Sequence, residues 1–354
     1  MKLKIKRISK GLLAAALVLS MAAGCQHNET ETITDASQET AAQTTGNLAN
    51  GQTVMKDTVI AVSMPAASEG WDYDAARSAG AYLSSISSDT LGYILFTASS
   101  AQEQSDQLDS LVGENIHAAV VYPVDDSQPL QGAANLKNSG VPVVEFNGEL
   151  SGITPDASVT MDEGILGRNA AQSIEDAGCE GMNVLMFTDE GNAQEAERTQ
   201  RFERALPSGI STISVATGCA DRDEANEALT DWLSGQETDT LANVGAVFAS
   251  GEESLLGVLE GLASYEAANG TAFPNLKIIA GCGSSNDLLS WLNDNDAYSA
   301  QTWFYPSEAI NTAIDLARDI TNGSSVADTA AVEAVRADHS SAGSYMAGFD
   351  GSGR

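Results

Sequence analysis

From Lys56 onward, short runs rich in Val, Ile and Ala alternate with stretches whose apolar residues recur at helical spacing. No other feature constrains the fold as tightly. The strand-like runs are Thr58–Ser63, Gly92–Thr97, Ala118–Tyr122, Val141–Phe146, Asn183–Thr188, Thr212–Ala216, Val244–Ala249, Lys277–Ala280 and Ser299–Phe304. Between them Tyr73–Ser85, Gln102–Val112, Leu130–Asn138, Ile165–Asp176, Gln194–Leu206, Arg222–Leu233 and Glu252–Ala268 carry the helical pattern. Runs that are apolar throughout, rather than at every second residue, indicate strands buried on both faces, as in parallel sheets covered by helices. Alternation at this length means βαβ units with right-handed crossovers. The segment Gly148–Asp162 breaks the rhythm with Gly148, Gly152 and Pro155, then the short run Ala157–Thr160, and reads as a passage into a second unit. The expectation is an α/β fold of two doubly wound parallel-sheet lobes joined by a hinge, rather than one continuous sheet. The first lobe takes 57–160 plus 305–325 and the second 161–304. Residues 326–354 are a return through the hinge or a disordered tail.

Ahead of this pattern, residues 1–25 read as an export signal. Lys2, Lys4, Lys6, Arg7 and Lys10 form a basic start, and Gly11 to Met21 is an apolar stretch too short to span a bilayer. It ends in Ala22-Ala23-Gly24-Cys25, which resembles the lipobox of bacterial lipoproteins. That resemblance implies acylation of Cys25 and a membrane anchor on the extracytoplasmic face; ordinary cleavage near Ala23 would instead release a secreted protein. Residues 26–56, rich in Thr, Glu, Gln, Asn and Ala, bury too little apolar surface to offset ordering entropy and are expected to be a flexible tether.

Loss of the five leader bases leaves 12 of the 17 basic residues against 49 acidic ones, a formal charge of −37. Such a surface repels nucleic acid and favours solubility. After Cys25 the cysteines are Cys179, Cys219 and Cys282, an odd number. Cys179 precedes one strand and Cys219 follows its parallel neighbour, so they sit at opposite edges of the sheet, roughly 20 Å apart at ~3.3 Å per residue. A disulfide tolerates about 5.5 Å between Cα atoms. All three are expected to be thiols.

Six segments, in order, carry a resemblance to a known family: KDTVIAVSMP, VVYPVDD, VPVVEFNG, VTMDEGILGRNAA, AERTQRF and VFASGEESLLGVL. They resemble the opening strand, the I-N-P-x-D turn, the P-V-I-x-x-D-R strand, the V-x-x-D-x-x-x-G-x-x-A crossing, the A-x-x-R-x-x-G-F helix and the V-F-A-x-N-D-x-x-A-L-G-x-L segment of the type I periplasmic binding proteins. The likeness is to the ribose- and galactose-binding-like receptors of ABC importers, and it runs from Lys56 to about Val326. It implies two lobes that close on a small molecule, an ABC permease as partner, a monomeric receptor and no cofactor.

Ligand-binding positions follow from that resemblance and from the rule that open α/β sheets bind beyond the carboxyl ends of their strands. Ser63, Trp71, Tyr73, Tyr122, Asn147, Arg198, Glu252, Ser284 and Phe304 are the candidates. Trp71 and Tyr73 are either stacking groups in the cleft or core residues at the start of the first helix. Arg198 either reaches the ligand or makes an exposed ion pair at helical spacing. Tyr122 stands where the family has Asn, and Asn147-Gly148 where sugar binders have Asp-Arg. Gly251 replaces Asn, Gly283 replaces Asp and Phe304 replaces Gln, so the glycines are expected to make room. Rings without a charged pair suit a bulkier, flatter or partly apolar ligand better than a simple pentose. A nucleoside, an aryl glycoside, an inositol-like polyol or a cationic organic compound against aromatic faces all fit.

Enzymatic chemistry is not expected. The histidines are His27, His117 and His339, far apart in the chain, with no triad, no histidine metal site and no phosphate loop. The acids of VDD and DEG read as turn carboxylates. The functions in competition are an importer's solute receptor for a sugar, polyol or nucleoside-like molecule, a sensory lipoprotein of the same fold serving a chemoreceptor or histidine kinase, and an enzyme or adhesion module using the acidic surface.

Overall fold

In a computed structural model the protein is described over residues 45–47, 53–55, 57–68 and 70–346. The leader with Cys25, most of the 26–56 stretch and the last eight residues lie outside these. Within the stretch expected to be a tether, Thr45–Asn47 and Thr53–Met55 pair as two short antiparallel strands.

The first sheet opens with β1 (Thr58–Pro65), then α1 (Gly70–Ile86), β2 (Leu91–Ala98), α2 (Ala101–Asp109), β3 (Ala118–Val121), α3 (Gln131–Asn138), β4 (Val143–Phe146) and β5 (Ala157–Thr160). The second follows with α4 (Glu163–Asp176), β6 (Asn183–Phe187), α5 (Ala193–Ala205), β7 (Ser211–Ala216), α6 (Arg222–Ser234), α7 (Thr238–Ala242) and β8 (Val244–Ala249). It continues through α8 (Glu252–Asn269), β9 (Ile278–Cys282), α9 (Asn286–Asp294) and β10 (Ala300–Phe304). The chain then returns to the first sheet with α10 (Ile310–Thr321) and β11 (Thr329–Ala331), and to the second with β12 (Val335–Asp338) and α11 (Ala342–Met346).

The first sheet runs β11–β5–β4–β3–β1–β2, all parallel. The second runs β12–β10–β9–β8–β6–β7, parallel except for β12 at its edge. Each sheet therefore reverses direction beside its first strand, between β1 and β3 and between β6 and β8, which is where a doubly wound sheet opens a crevice. Both faces are covered, as the continuous apolar runs require. Ile60, Val62 and Met64 of β1 enter one core with Ile310, Ala313, Ile314 and Ala317 of α10, while Val59 and Ala61 enter another with Leu108 and Leu136.

Three passages join the lobes: Met161–Asp162, Tyr305–Pro306 and Val332–Ala334. Met161 and Val332 pack against cores of both lobes. The Tyr305 hydroxyl donates to the Asp162 carbonyl at 2.8 Å, tying two of the passages together. The segment 326–354 is thus not a loose tail as far as Met346: it adds a strand to each sheet, and Tyr345 of α11 meets Phe304 edge to face at 5.2 Å. The three cysteines are free and buried, with Cys179 before β6 and Cys219 after its parallel neighbour β7. Among the described residues no helix is long and apolar enough to cross a membrane.

Candidate functional site

Carboxyl ends of strands from both sheets face a common cavity of about 630 Å³. In a βα unit each strand end leads through a loop into the start of the next helix, so first-turn positions supply much of the wall. Asp72 of α1, Glu163 of α4, Glu195 of α5, and Glu252 and Glu253 of α8 all lie in such turns and all line the cavity. A helix N-terminus favours a negative charge nearby, so the fold itself explains why this cavity is acidic.

On the first-lobe side an aromatic group forms the wall. Trp71 stacks on Phe146 with centroids 6.2 Å apart and a 9° interplanar angle, and meets Tyr122 edge to face at 6.2 Å. Its indole Nε1 donates to the Tyr305 carbonyl at 2.7 Å, fixing the ring against the hinge. The Tyr122 hydroxyl donates to Asp72 Oδ1 at 2.9 Å and accepts from Asn147 Nδ2 at 3.2 Å. Burial raises the Asp72 carboxyl, a shift the Tyr122 hydrogen bond partly offsets. Asn147 has φ 44°, a left-handed conformation that Asn tolerates better than most side chains.

On the second-lobe side Arg198 Nε meets Glu163 Oε2 at 2.6 Å, with side chains only 13% and 11% exposed, and Arg198 also donates to the Ser250 carbonyl at 3.1 Å. Burial works most strongly against the guanidinium charge, but Glu163, with Glu195 behind it, contributes to a net upward shift and Arg198 stays cationic. The Ser250 hydroxyl donates to Glu195 Oε2 at 2.6 Å. Burial raises Glu195 despite that bond. Glu252 is pushed up to about 8, by burial first and by neighbouring Glu253 second.

Of the nine residues proposed from sequence, the structure brings Trp71, Tyr122, Asn147, Arg198, Glu252, Ser284 and Phe304 to the cavity wall. Ser63 and Tyr73 are not there. β1 runs two residues beyond Ser63, so Pro65 is the strand end at the cavity, while Ser63 is fully buried and accepts from Gln104 Nε2 at 3.0 Å. Tyr73 is two residues past Trp71, about 200° around the helix, and its ring lies under Arg77. The two readings of Trp71 merge, since it packs in the core with one part and walls the cavity with another. Arg198 stands in the cavity wall, and its ion pair is buried and formed with another helix rather than exposed at helical spacing on its own. The Asp162-Glu163 pair is only half a turn device, because Asp162 caps α4 while Glu163 holds Arg198.

The glycines at the cavity make room for protein carboxylates. A Cβ on Gly251 would stand 2.5 Å from Glu195 Oε1, and one on Gly283, at φ +93°, would crowd Glu252 at 3.1 Å. Sequence reasoning missed Asp72, Glu163 and Glu195. The signal was present: an acid in the first turn of the helix that follows a strand in a βα unit faces the crevice.

Glu252 makes stability pH-dependent. Its folded value of about 8 lies above the ordinary ~4.3, so the folded protein retains a proton that the unfolded chain releases. This contribution is absent below about pH 4 and lowers stability as pH rises through the window from about 4.3 to 8. Melting temperatures taken from pH 5 to 8.5 are expected to fall less steeply in Glu252→Gln than in the parent protein. Parallel curves would refute the assignment.

Comparison with known proteins agrees with this architecture. Residues 60–325 match the family model described as "Periplasmic binding protein domain". A xylitol-binding protein of Mycolicibacterium smegmatis is 27% identical over 200 residues, covering 54% of this chain and 53% of that relative, about half its length. Among solved structures, an ABC transporter periplasmic solute binding protein from Actinobacillus succinogenes with bound D-allose superposes with a TM-score of 0.64 at 16% identity, covering 81% of this chain and all of that one. An ABC transporter solute binding protein from Bacillus halodurans with bound myo-inositol gives 0.61 at 21% identity, covering 83% and 99%. With three quarters of its length matched to that family model, and with two doubly wound lobes walling one cavity, the chain belongs to the periplasmic binding proteins.

Proposed function

We propose that the protein is a lipid-anchored, extracytoplasmic solute receptor of an ABC importer that binds a sugar or polyol in the cavity between its lobes. The observation that carries this reading is the pairing, on one cavity, of a fixed aromatic wall (Trp71, Tyr122) with hydrogen-bonding groups from both lobes (Asn147, Arg198, Glu252). Rings take the C–H faces of a saccharide and polar groups its hydroxyls. The named ligands of the relatives, xylitol, D-allose and myo-inositol, are all polyhydroxylated. Closure about three linked passages would exclude water from the bound molecule. Anchoring through Cys25 and delivery to a permease complete the proposal.

Calorimetric titration with xylitol, D-ribose, D-allose and myo-inositol tests it. Binding of at least one is expected, with Trp71→Ala weakening it about tenfold or more, the order seen when a central aromatic anchor is removed. Failure of every sugar and polyol, with binding of a nucleoside such as adenosine, would replace the saccharide reading.

A further inference from the structure

A second cavity, of about 300 Å³, lies on the flank of the first and shares Trp71, Ser284 and Phe304 with it. Its remaining wall comes from Asp74 of α1, Ser285 and Leu289 beside and within α9, Pro306, Ser307 and Glu308 of the hinge, and Ser344 and Tyr345 of α11. Both lobes and the hinge contribute. Three aromatic rings and two carboxyl groups line this side chamber, and no Lys or Arg does.

Two buried polar groups here lack partners. Ser307 is only 6% exposed, and its hydroxyl has no hydrogen-bond partner. Asp74 is 7% exposed, and no hydrogen bond or ion pair from the described residues reaches its carboxyl group. Burial raises Asp74, with Arg77 lowering and Glu308 raising it. Asp74 shares a helix face with Trp71, three residues earlier, which sets the carboxyl beside the shared wall. A carboxylate this enclosed and left without a hydrogen-bond donor is costly, and Arg77 offsets the burial only through space.

We infer that the side chamber receives an ammonium group, so that the preferred ligand is an amine-bearing sugar or polyol whose cationic end sits among Trp71, Phe304, Tyr345, Asp74 and Glu308. This rests on the saccharide reading of the main cavity and sharpens it. An ammonium supplies three donors, enough for Asp74, Ser307 and Glu308, and gains further from aromatic surroundings. The single arginine of the main cavity does not oppose it, because Arg198 is already neutralised by Glu163. Neutral polyols would satisfy the hydroxyl but bring no cationic donor to the carboxylate.

Matched titrations decide the matter. D-Glucose, D-glucosamine and N-acetyl-D-glucosamine, and the corresponding galactose set, differ in one group and in its charge. The amines are expected to bind at least about tenfold more tightly than their neutral counterparts, and the advantage should shrink as salt rises. Asp74→Asn should remove most of that advantage while leaving neutral-sugar affinity within about twofold. Exposed Glu308→Gln, a substitution with little risk to folding, should reduce it in part. Neutral sugars or xylitol binding as tightly as the amines, or an amine preference unchanged in both variants, overturns the inference and leaves the saccharide receptor standing. Absence of binding by amine and neutral compounds alike, xylitol included, overturns the saccharide reading on which the inference rests.

Discussion

Arg198→Met is expected to destabilise the protein by about 3 kcal/mol or more, the usual cost of stranding one partner of a buried ion pair. The substitution keeps much of the side-chain length but leaves Glu163 without its 2.6 Å partner and the Ser250 carbonyl without a donor. Removing both charges in Glu163→Gln/Arg198→Met should recover a large part of the loss, because apolar or neutral replacements of a buried pair are often nearly neutral. Urea titration of the two single variants and the double variant gives the coupling directly. Additive losses would show that the pair is not the unit described. The same series bears on binding, since Glu163 and Arg198 stand in the cavity wall and the α4–α5 contact aims both.

That contact has a second sensitive point. Gly167 of α4 lies against the backbone of α5: a Cβ there would stand 1.9 Å from the Arg198 carbonyl oxygen and 2.7 Å from its carbonyl carbon. A backbone atom cannot swing aside as a side chain can, so the helices must separate. Gly167→Val is expected to cost about 3 kcal/mol, at or above the upper end of ordinary overpacking, and to weaken ligand binding by displacing Arg198 with its helix. Gly218→Ala is a fitting control for space alone, because a Cβ there meets nothing within 4 Å. Thermal melts of Gly167→Val matching the parent protein would refute the close approach.

The strands were legible because burial on both faces leaves a continuous apolar signature: β3, AAVV, and β8, VGAVFA, admit little else. Their ends were legible to within two residues, and that margin decided Ser63, which lies inside β1 instead of at its mouth. β11, TAA, and β12, VRAD, were not legible, since edge strands of three or four half-exposed residues carry no pattern of their own. They form because the hinge delivers them to open sheet edges. In the site, positions adjoining strand ends on the first lobe were readable, Tyr122 and Asn147 among them. What composition could not convey was pairing at a distance: that Glu163 would claim Arg198, that Asp72 would hold Tyr122, and that Gly251 and Gly283 would shelter Glu195 and Glu252. These depend on which helix start faces which across the crevice, and a linear pattern does not encode that.

The route of the chain from Thr329 to Asp338 bears on how the molecule is made. β11 closes one edge of the first sheet and β12 one edge of the second, and both come after residue 328. A chain emerging N-terminus first therefore cannot finish its earlier lobe until Thr329–Ala331 has emerged. Until then β5 and β10 present unpaired backbone to their surroundings, a surface prone to unwanted strand addition. Maturation of both halves is thus deferred to the same late moment, and a stop before Thr329 would leave two unsealed sheets instead of one good lobe and one damaged one.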